Sequence, residues 1–129
     1  LYAAGRKEIR KRVRDTVASL TGEHGVPLSQ IVVLTTGTAM RDELLADPPE
    51  GCALVRWEDR SEDTVLCETV HRTKGLERTA VILVDTSSEP DKTLLYIGAS
   101  RAVSSLTLVG PPGLAHAVGV PEGAHGGAS

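Results

Sequence analysis

Aromatic side chains are nearly missing from this sequence. There is no Phe, one Trp and two Tyr, together 2% of the residues. The core must therefore be assembled from Val, Leu, Ile and Ala, and little is left on which bases of a single strand could stack. Cysteine is equally scarce. Cys52 and Cys67 have neither metal-ligand spacing nor the density of a disulfide scaffold, and both sit in apolar runs, so buried reduced thiols are expected. His24, His71, His116 and His125 are scattered, with no pair at ligand spacing, which argues against a metal site. No run approaches the ~18 apolar residues of a membrane span, and basic residues through the first twenty or so positions argue against a signal peptide. The expectation is a cytoplasmic protein with no membrane partner. The first residue is Leu1 rather than Met, the expected look of a piece of a longer polypeptide.

Charge is balanced rather than absent. A formal net charge of −3 excludes a global positive field that would draw the whole domain to nucleic acid, so any such contact must be local. Three sequence signatures are also missing. There is no G-x-x-x-x-G-K-[ST], so a triphosphate and its Mg²⁺ cannot be cradled in the usual P-loop manner. No G-x-G-x-x-G follows a strand, which removes the dinucleotide reading, and no nucleophile elbow or neighbouring Cys/His pair suggests a hydrolase.

What is present is an ordinary globular composition of 129 residues, 40% hydrophobic and 24% charged, enough for one domain with a real core. Ile9, Val13, Val17 and Leu20 recur at helical spacing and predict a helix from Gly5 to Leu20. Its other faces carry Arg6, Lys7, Arg10, Lys11, Arg12 and Arg14, either a phosphate-contacting surface or, the favoured reading, a solvated outer face. Ile31 to Leu34 reads as a strand buried on both faces. Ala39 to Ala46 follows as a short helix with Thr38 as its expected N-cap. The turn DPPEG, 47–51, leads to strands at Ala53–Trp57, Thr64–Val70 and Ala80–Val84. A polar loop from Thr86 to Lys92, a helix from Thr93 to Val103 and a last strand from Leu106 to Val109 complete the pattern. Residues 1–119 are expected to form the domain, with a Gly- and Ala-rich disordered tail over 120–129.

Alternating strands and helices predict an α/β fold, a mostly parallel sheet flanked by helices on both faces. The stretch Glu68 to Asp85, ETVHRTKGLERTAVILVD, stands out because its polar turn crowds His71, Lys74, Gly75 and Glu77 between two apolar strands. In such sheets ligands sit beyond the carboxyl ends of the strands, and this turn, with the one after Leu34, is expected on that edge. The groups suit phosphate or nucleotide chemistry. Lys74 is a mobile point charge, Arg101 a fork for phosphate oxygens, Gly75 allows close backbone approach, and Glu77 can accept from ribose hydroxyls.

Two motifs then coincide. Thr69-Val-His-Arg-Thr-Lys-Gly-Leu-Glu77 resembles motif V of superfamily 1 helicases of the UvrD/Rep type, T-x-H-x-x-K-G-L-E before a hydrophobic strand. Leu94-Leu-Tyr-Ile-Gly-Ala-Ser-Arg-Ala102 resembles their motif VI, L-x-Y-V-A-x-T-R-A. The resemblance implies the C-terminal, second RecA-like domain of such a helicase, lacking a P-loop of its own. It implies that Arg101 is an arginine finger, and that Glu77, Gly75, Lys74 and Tyr96 belong to the nucleotide side. Thr69 and His71 would face single-stranded DNA, with RNA as the alternative. ATP with Mg²⁺ would be held mainly by the first RecA-like domain of the same polypeptide, and this piece alone would not hydrolyse it. The chain departs from the pattern at Ser100, where the family has Thr, and at Arg78, where an aromatic is usual. An arginine-bearing motif IV is not visible. A related ATPase module serving regulation or protein interaction is the other functional class compatible with these residues.

Overall fold

The computed structural model describes residues 5–73, 75–85 and 92–110. Helix α1 (Gly5–Gly22) leads through a one-turn 3-10 helix at Leu28–Gln30 to strand β1 (Ile31–Thr35), and helix α2 (Thr38–Ala46) follows. Strands β2 (Leu54–Val55), β3 (Val65–Thr69) and β4 (Arg78–Val84), helix α3 (Lys92–Ala99) and strand β5 (Ala102–Val109) complete the described chain. The five strands form one sheet in the order β2-β3-β1-β4-β5, and every neighbouring pair is parallel. The expected α/β architecture is what the chain adopts.

The order follows from which strands can afford no solvent. All five residues of β1 are buried, and β1 sits in the centre with β3 on one side and β4 on the other. One face of the sheet packs Val33, Cys67, Ile82 and Val84 against Ile9, Val13, Val17 and Leu20 of α1 and Leu44 of α2. The opposite face packs Val32, Leu34, Leu66, Val81 and Leu83 against Leu95 of α3 and against Val70. Both clusters are aliphatic, as the aromatic shortage requires. Each fully buried Leu, Ile or Val contributes roughly 1.5–3 kcal/mol. Lys7, Arg10, Lys11, Arg12 and Arg14 of α1 lie off the apolar stripe, and Arg10 pairs with Asp47 at 3.3 Å while Lys11 pairs with Asp15 at 3.6 Å. Both cysteines are free and buried. Among the described residues no helix is long and apolar enough to cross a membrane.

Several boundaries differ from expectation, each for a local reason. Gly37 rather than Thr38 is the N-cap residue of α2, with no side-chain cap; the Thr35 hydroxyl donates to the Gly37 carbonyl at 2.9 Å and tightens the turn one residue early. Strand β2 is only two residues long, because Trp57–Asp59 coil into a 3-10 turn. The last helix stops at Ala99, not Val103. There the Ser100 hydroxyl donates to the Ile97 carbonyl at 2.6 Å, and β5 starts at Ala102 with a register shift against β4 between Arg78 and Ala80. The loop 86–91, the segment after Gly110 with the tail, and Lys74 lie outside the described residues.

Candidate nucleotide and nucleic-acid site

The connection between β3 and β4 positions the site. Both strands are parallel to β1, which separates them, so the chain must leave β3 at its carboxyl end and re-enter the sheet at the amino end of β4. It does so in eight residues, 70–77, with no room for a long helix. A 3-10 turn at Val70–Thr73 starts the crossing, and Val70 inserts into the cluster beneath α3. The Thr73 hydroxyl donates to the Val70 carbonyl at 2.9 Å, and the Leu76 amide donates to Thr73 at 2.9 Å. Gly75 takes φ +81°, the left-handed region that a side chain resists.

This corrects the expectation that the whole polar turn occupies the carboxyl edge. Among the described residues, Thr69, His71 and Arg72 are there. Glu77, the last residue of the crossover, is at the amino edge, because a parallel crossover must end at the opposite edge from its start. Arg101 precedes β5 and lies on that same amino edge: the Arg78 amide donates to the Arg101 carbonyl at 2.9 Å. The two motifs, 24 positions apart from Glu77 to Arg101, therefore meet in space.

At the carboxyl edge the organising group is Glu68. Its side chain is 4% exposed, and its Oε1 accepts from Arg41 Nη1 at 2.6 Å and from the Thr69 amide at 2.9 Å. Arg72 Nε stands 3.9 Å from Oε2, and Arg41 also reaches Asp42 at 2.9 Å. The hydrogen bond to Glu68 and then that to Asp42 push the Arg41 guanidinium further up from its already high pKa. Thr69 is buried, whereas His71 and Arg72 are exposed. Glu68, Arg72, Thr73, Gly75 and Leu76 line, with Trp57, a pocket of about 300 Å³. One face of the Trp57 ring is covered by Arg60, whose Cζ lies 3.6 Å from the ring centroid.

At the amino edge Glu77 is exposed and Arg101 half-buried. The Nε atoms of Arg101 and Arg78 are both enclosed without a hydrogen-bond partner. Tyr96, on α3, is 67% exposed, and Ile97 and Val103 are exposed as well. The structure thus brings Glu77 and Arg101 toward one edge, leaves Thr69 and His71 at the other, and puts Gly75 on the pocket beside Glu68 and Arg72. Sequence reasoning missed Arg41, Arg60 and Trp57, which come from elements far away in the chain. Glu68 carried a signal that went unused: one carboxylate inside the otherwise apolar run VLCETV.

The described residues form a parallel five-stranded sheet flanked by helices, an α/β fold. Residues 64–109, which span the crossover and both motifs, match the family model described as UvrD-like helicase C-terminal domain. Across most of its length the chain is also similar to the C-terminal domain of a possible DNA helicase from Lactobacillus plantarum WCFS1. That crystal structure superposes with a TM-score of 0.67 at 25% identity, covering 88% of this chain and 76% of that one. A search of curated proteins found no match. Both findings agree with the resemblance read from the two motifs: residues 64–109 match a UvrD-like helicase C-terminal domain, and the similar structure is the C-terminal domain of a possible DNA helicase.

Proposed function

We propose that this domain is the second motor domain of an ATP-driven DNA helicase or translocase, closing over a nucleotide held mainly by the first RecA-like domain of the same polypeptide. One observation supports the reading above the others. The 70–77 crossover joins the two sheet edges, and its far end is hydrogen-bonded to Arg101. A displacement at either edge is thus transmitted through a connection too short to absorb it, which is what coupling of nucleotide state to strand contact needs.

In this reading ATP with Mg²⁺ supplies the phosphoanhydride, and the chain's own residues orient and stabilise. Arg101, its Nε enclosed and unpaired, suits an anionic phosphate group and serves as the arginine finger. Glu77 accepts from the ribose, while Gly75, Lys74 and Tyr96 shape the nucleotide side. His71 and Thr69 stand on the strand side, the exposed His71 toward backbone phosphates and the buried Thr69 through its backbone. With no P-loop in the sequence, the chain alone is expected not to turn over ATP.

The test needs the polypeptide that includes the first domain. Arg101→Ala should lower ATP turnover by about 10³-fold or more with nucleotide affinity nearly intact, because the arginine acts on charge that develops in the transition state. Near-normal turnover would remove Arg101 from the site. His71→Ala should reduce DNA-stimulated ATPase more than basal ATPase, and equal loss of both would move His71 to the nucleotide side.

A further inference from the structure

The chain's only Trp stands at the pocket that Glu68 lines. Trp57 follows the carboxyl end of β2, Glu68 belongs to the end of β3, and crossover residues including Arg72 and Leu76 complete the lining of about 300 Å³. The two oxygens of Glu68 are unequally employed. The residue is 3% exposed, and both hydrogen bonds to its carboxylate, from Arg41 and from the Thr69 amide, fall on Oε1. Among the described residues Oε2 has Arg72 Nε at 3.9 Å, beyond hydrogen-bond distance. A buried carboxylate with an unused oxygen, at the wall of a cavity, calls for an N–H donor. Two arginines already answer its charge, so a neutral donor suits it better than a cation. Trp57 supplies a planar surface to the same cavity. Arg60 lies on the ring, Cζ 3.6 Å from the centroid, and its Nη1 donates to the Trp57 carbonyl at 2.8 Å, which pins the indole to its own turn. With Arg60 in place, Trp57 is still 41% exposed.

We infer that this pocket takes one unpaired base of a nucleic-acid strand, stacked on Trp57 and donating its exocyclic amino group to Glu68. Stacking on an aromatic ring accepts any base, whereas a carboxylate discriminates. It accepts from the amino group of cytosine, but thymine offers one N–H set between two carbonyl oxygens that repel it. The pocket therefore prefers cytosine to thymine. His71 and Arg72, both exposed, are next to it for the flanking phosphates. Trp57 and Arg60 lie outside residues 64–109 and outside both motifs, so the stacking surface is not supplied by the matched family region. That the base comes from a strand, and not from a free nucleotide, rests on the motor-domain reading.

Because Trp57 is the only Trp, its fluorescence reports occupation of the pocket directly. The 129-residue chain is titrated at low salt with oligo(dC), oligo(dT), CMP and tripolyphosphate. Saturable quenching by oligo(dC) is expected, with oligo(dT) binding about tenfold more weakly and tripolyphosphate leaving the signal unchanged. Trp57→Leu, followed by the anisotropy of labelled oligo(dC), should bind about tenfold more weakly through loss of the stack. Glu68→Gln should abolish the preference for oligo(dC) over oligo(dT). That preference is a ratio within one protein, which a loss of stability does not move, and thermal unfolding verifies that each variant is folded. Absence of saturable quenching, equal affinity for the two oligonucleotides, equal quenching by tripolyphosphate, or unchanged binding in Trp57→Leu would each overturn the pocket. CMP binding as tightly as oligo(dC) would overturn the strand as the source of the base. If the pocket fails while Arg101→Ala still blocks turnover in the polypeptide with the first domain, the motor reading stands without it. A cytosine preference alongside normal turnover in Arg101→Ala would remove the arginine-finger assignment alone.

Discussion

The β3-to-β4 connection starts and finishes in different electrostatic surroundings. At its start, Glu68 is buried but answered by Arg41 at 2.6 Å and approached by Arg72 at 3.9 Å. At its finish, Arg78 and Arg101 hold enclosed Nε atoms that nothing answers. The same fold thus pairs a buried carboxylate with arginine at one edge, while at the other Arg78 reaches only the Glu77 carbonyl through Nη1 at 2.9 Å and the Nε atoms of Arg78 and Arg101 have no acceptor. A buried carboxylate answered by arginine fixes local geometry, whereas an enclosed donor without an acceptor costs stability.

The largest effect should come from breaking the closed end. Glu68→Ala leaves Arg41, whose side chain is 11% exposed, beside no buried carboxylate and should cost about 3 kcal/mol or more in chemical denaturation. The double change Arg41→Met with Glu68→Met should cost clearly less, because it strands no charge. A loss under about 1 kcal/mol for Glu68→Ala would show that solvent already screens the pair and that the two ends do not differ in kind.

A smaller effect is expected where the ends are mechanically tied. A Cβ on Gly98 of α3 would stand 2.9 Å from Leu83 Cδ1 and 3.1 Å from Val70 Cγ2, so this glycine lets the helix ahead of Arg101 rest on the start of the crossover. Gly98→Val should cost about 1–3 kcal/mol by overpacking. Gly98→Ala should stay within about 1 kcal/mol of the parent, since the Leu83 methyl can move and Ala favours the helix by a similar amount. Amide hydrogen exchange at Arg78 reads the tie directly. Faster exchange in Gly98→Val is expected, and an unchanged rate there would decouple the ends.

The smallest effect is a pH dependence at the closed end. Burial, then the charge of Glu68, push the Cys67 thiol up to about 12 from the ordinary 9.0. A raised thiol pKa means that the folded state keeps its proton while the unfolded state loses it. Stability is therefore full below 9.0 and declines as pH rises toward about 12. Cys67→Val should flatten that decline in urea titrations at pH 8 and pH 10, and an identical slope in the variant would assign it to other groups.

Strand and helix identities were legible because their periodicity is local. IVVL and AVILV could only be buried strands, and the apolar stripe of α1 could only be a helix against the sheet. The site was legible in part, through the order of two short motifs carrying His71, Glu77 and Arg101. What could not be read was anything depending on contacts between distant elements. Arg41 and Glu68 are 27 positions apart, and Arg60 stacks on Trp57 in a loop that composition alone marked as merely charged. The helix ending at Ala99 was overrun because Ala102 and Val103 also suit a helix; the pairing of Ala102 with Arg78 in the sheet decides otherwise.

By itself, then, the sequence determined the class of fold, an aliphatic core on two sheet faces and a crossover rich in polar groups. Those follow from side-chain pattern, which acts within a few residues. Tertiary structure alone decided which edge each polar group serves. A parallel connection carries the chain from one end of the sheet to the other, and the strand order β2-β3-β1-β4-β5 fixes where it lands. The turn therefore does not sit on one edge with all its charges. It splits them, His71 and Arg72 at the end of β3 and Glu77, Arg78 and Arg101 at the start of β4 and β5, with only the first end neutralised by the fold itself.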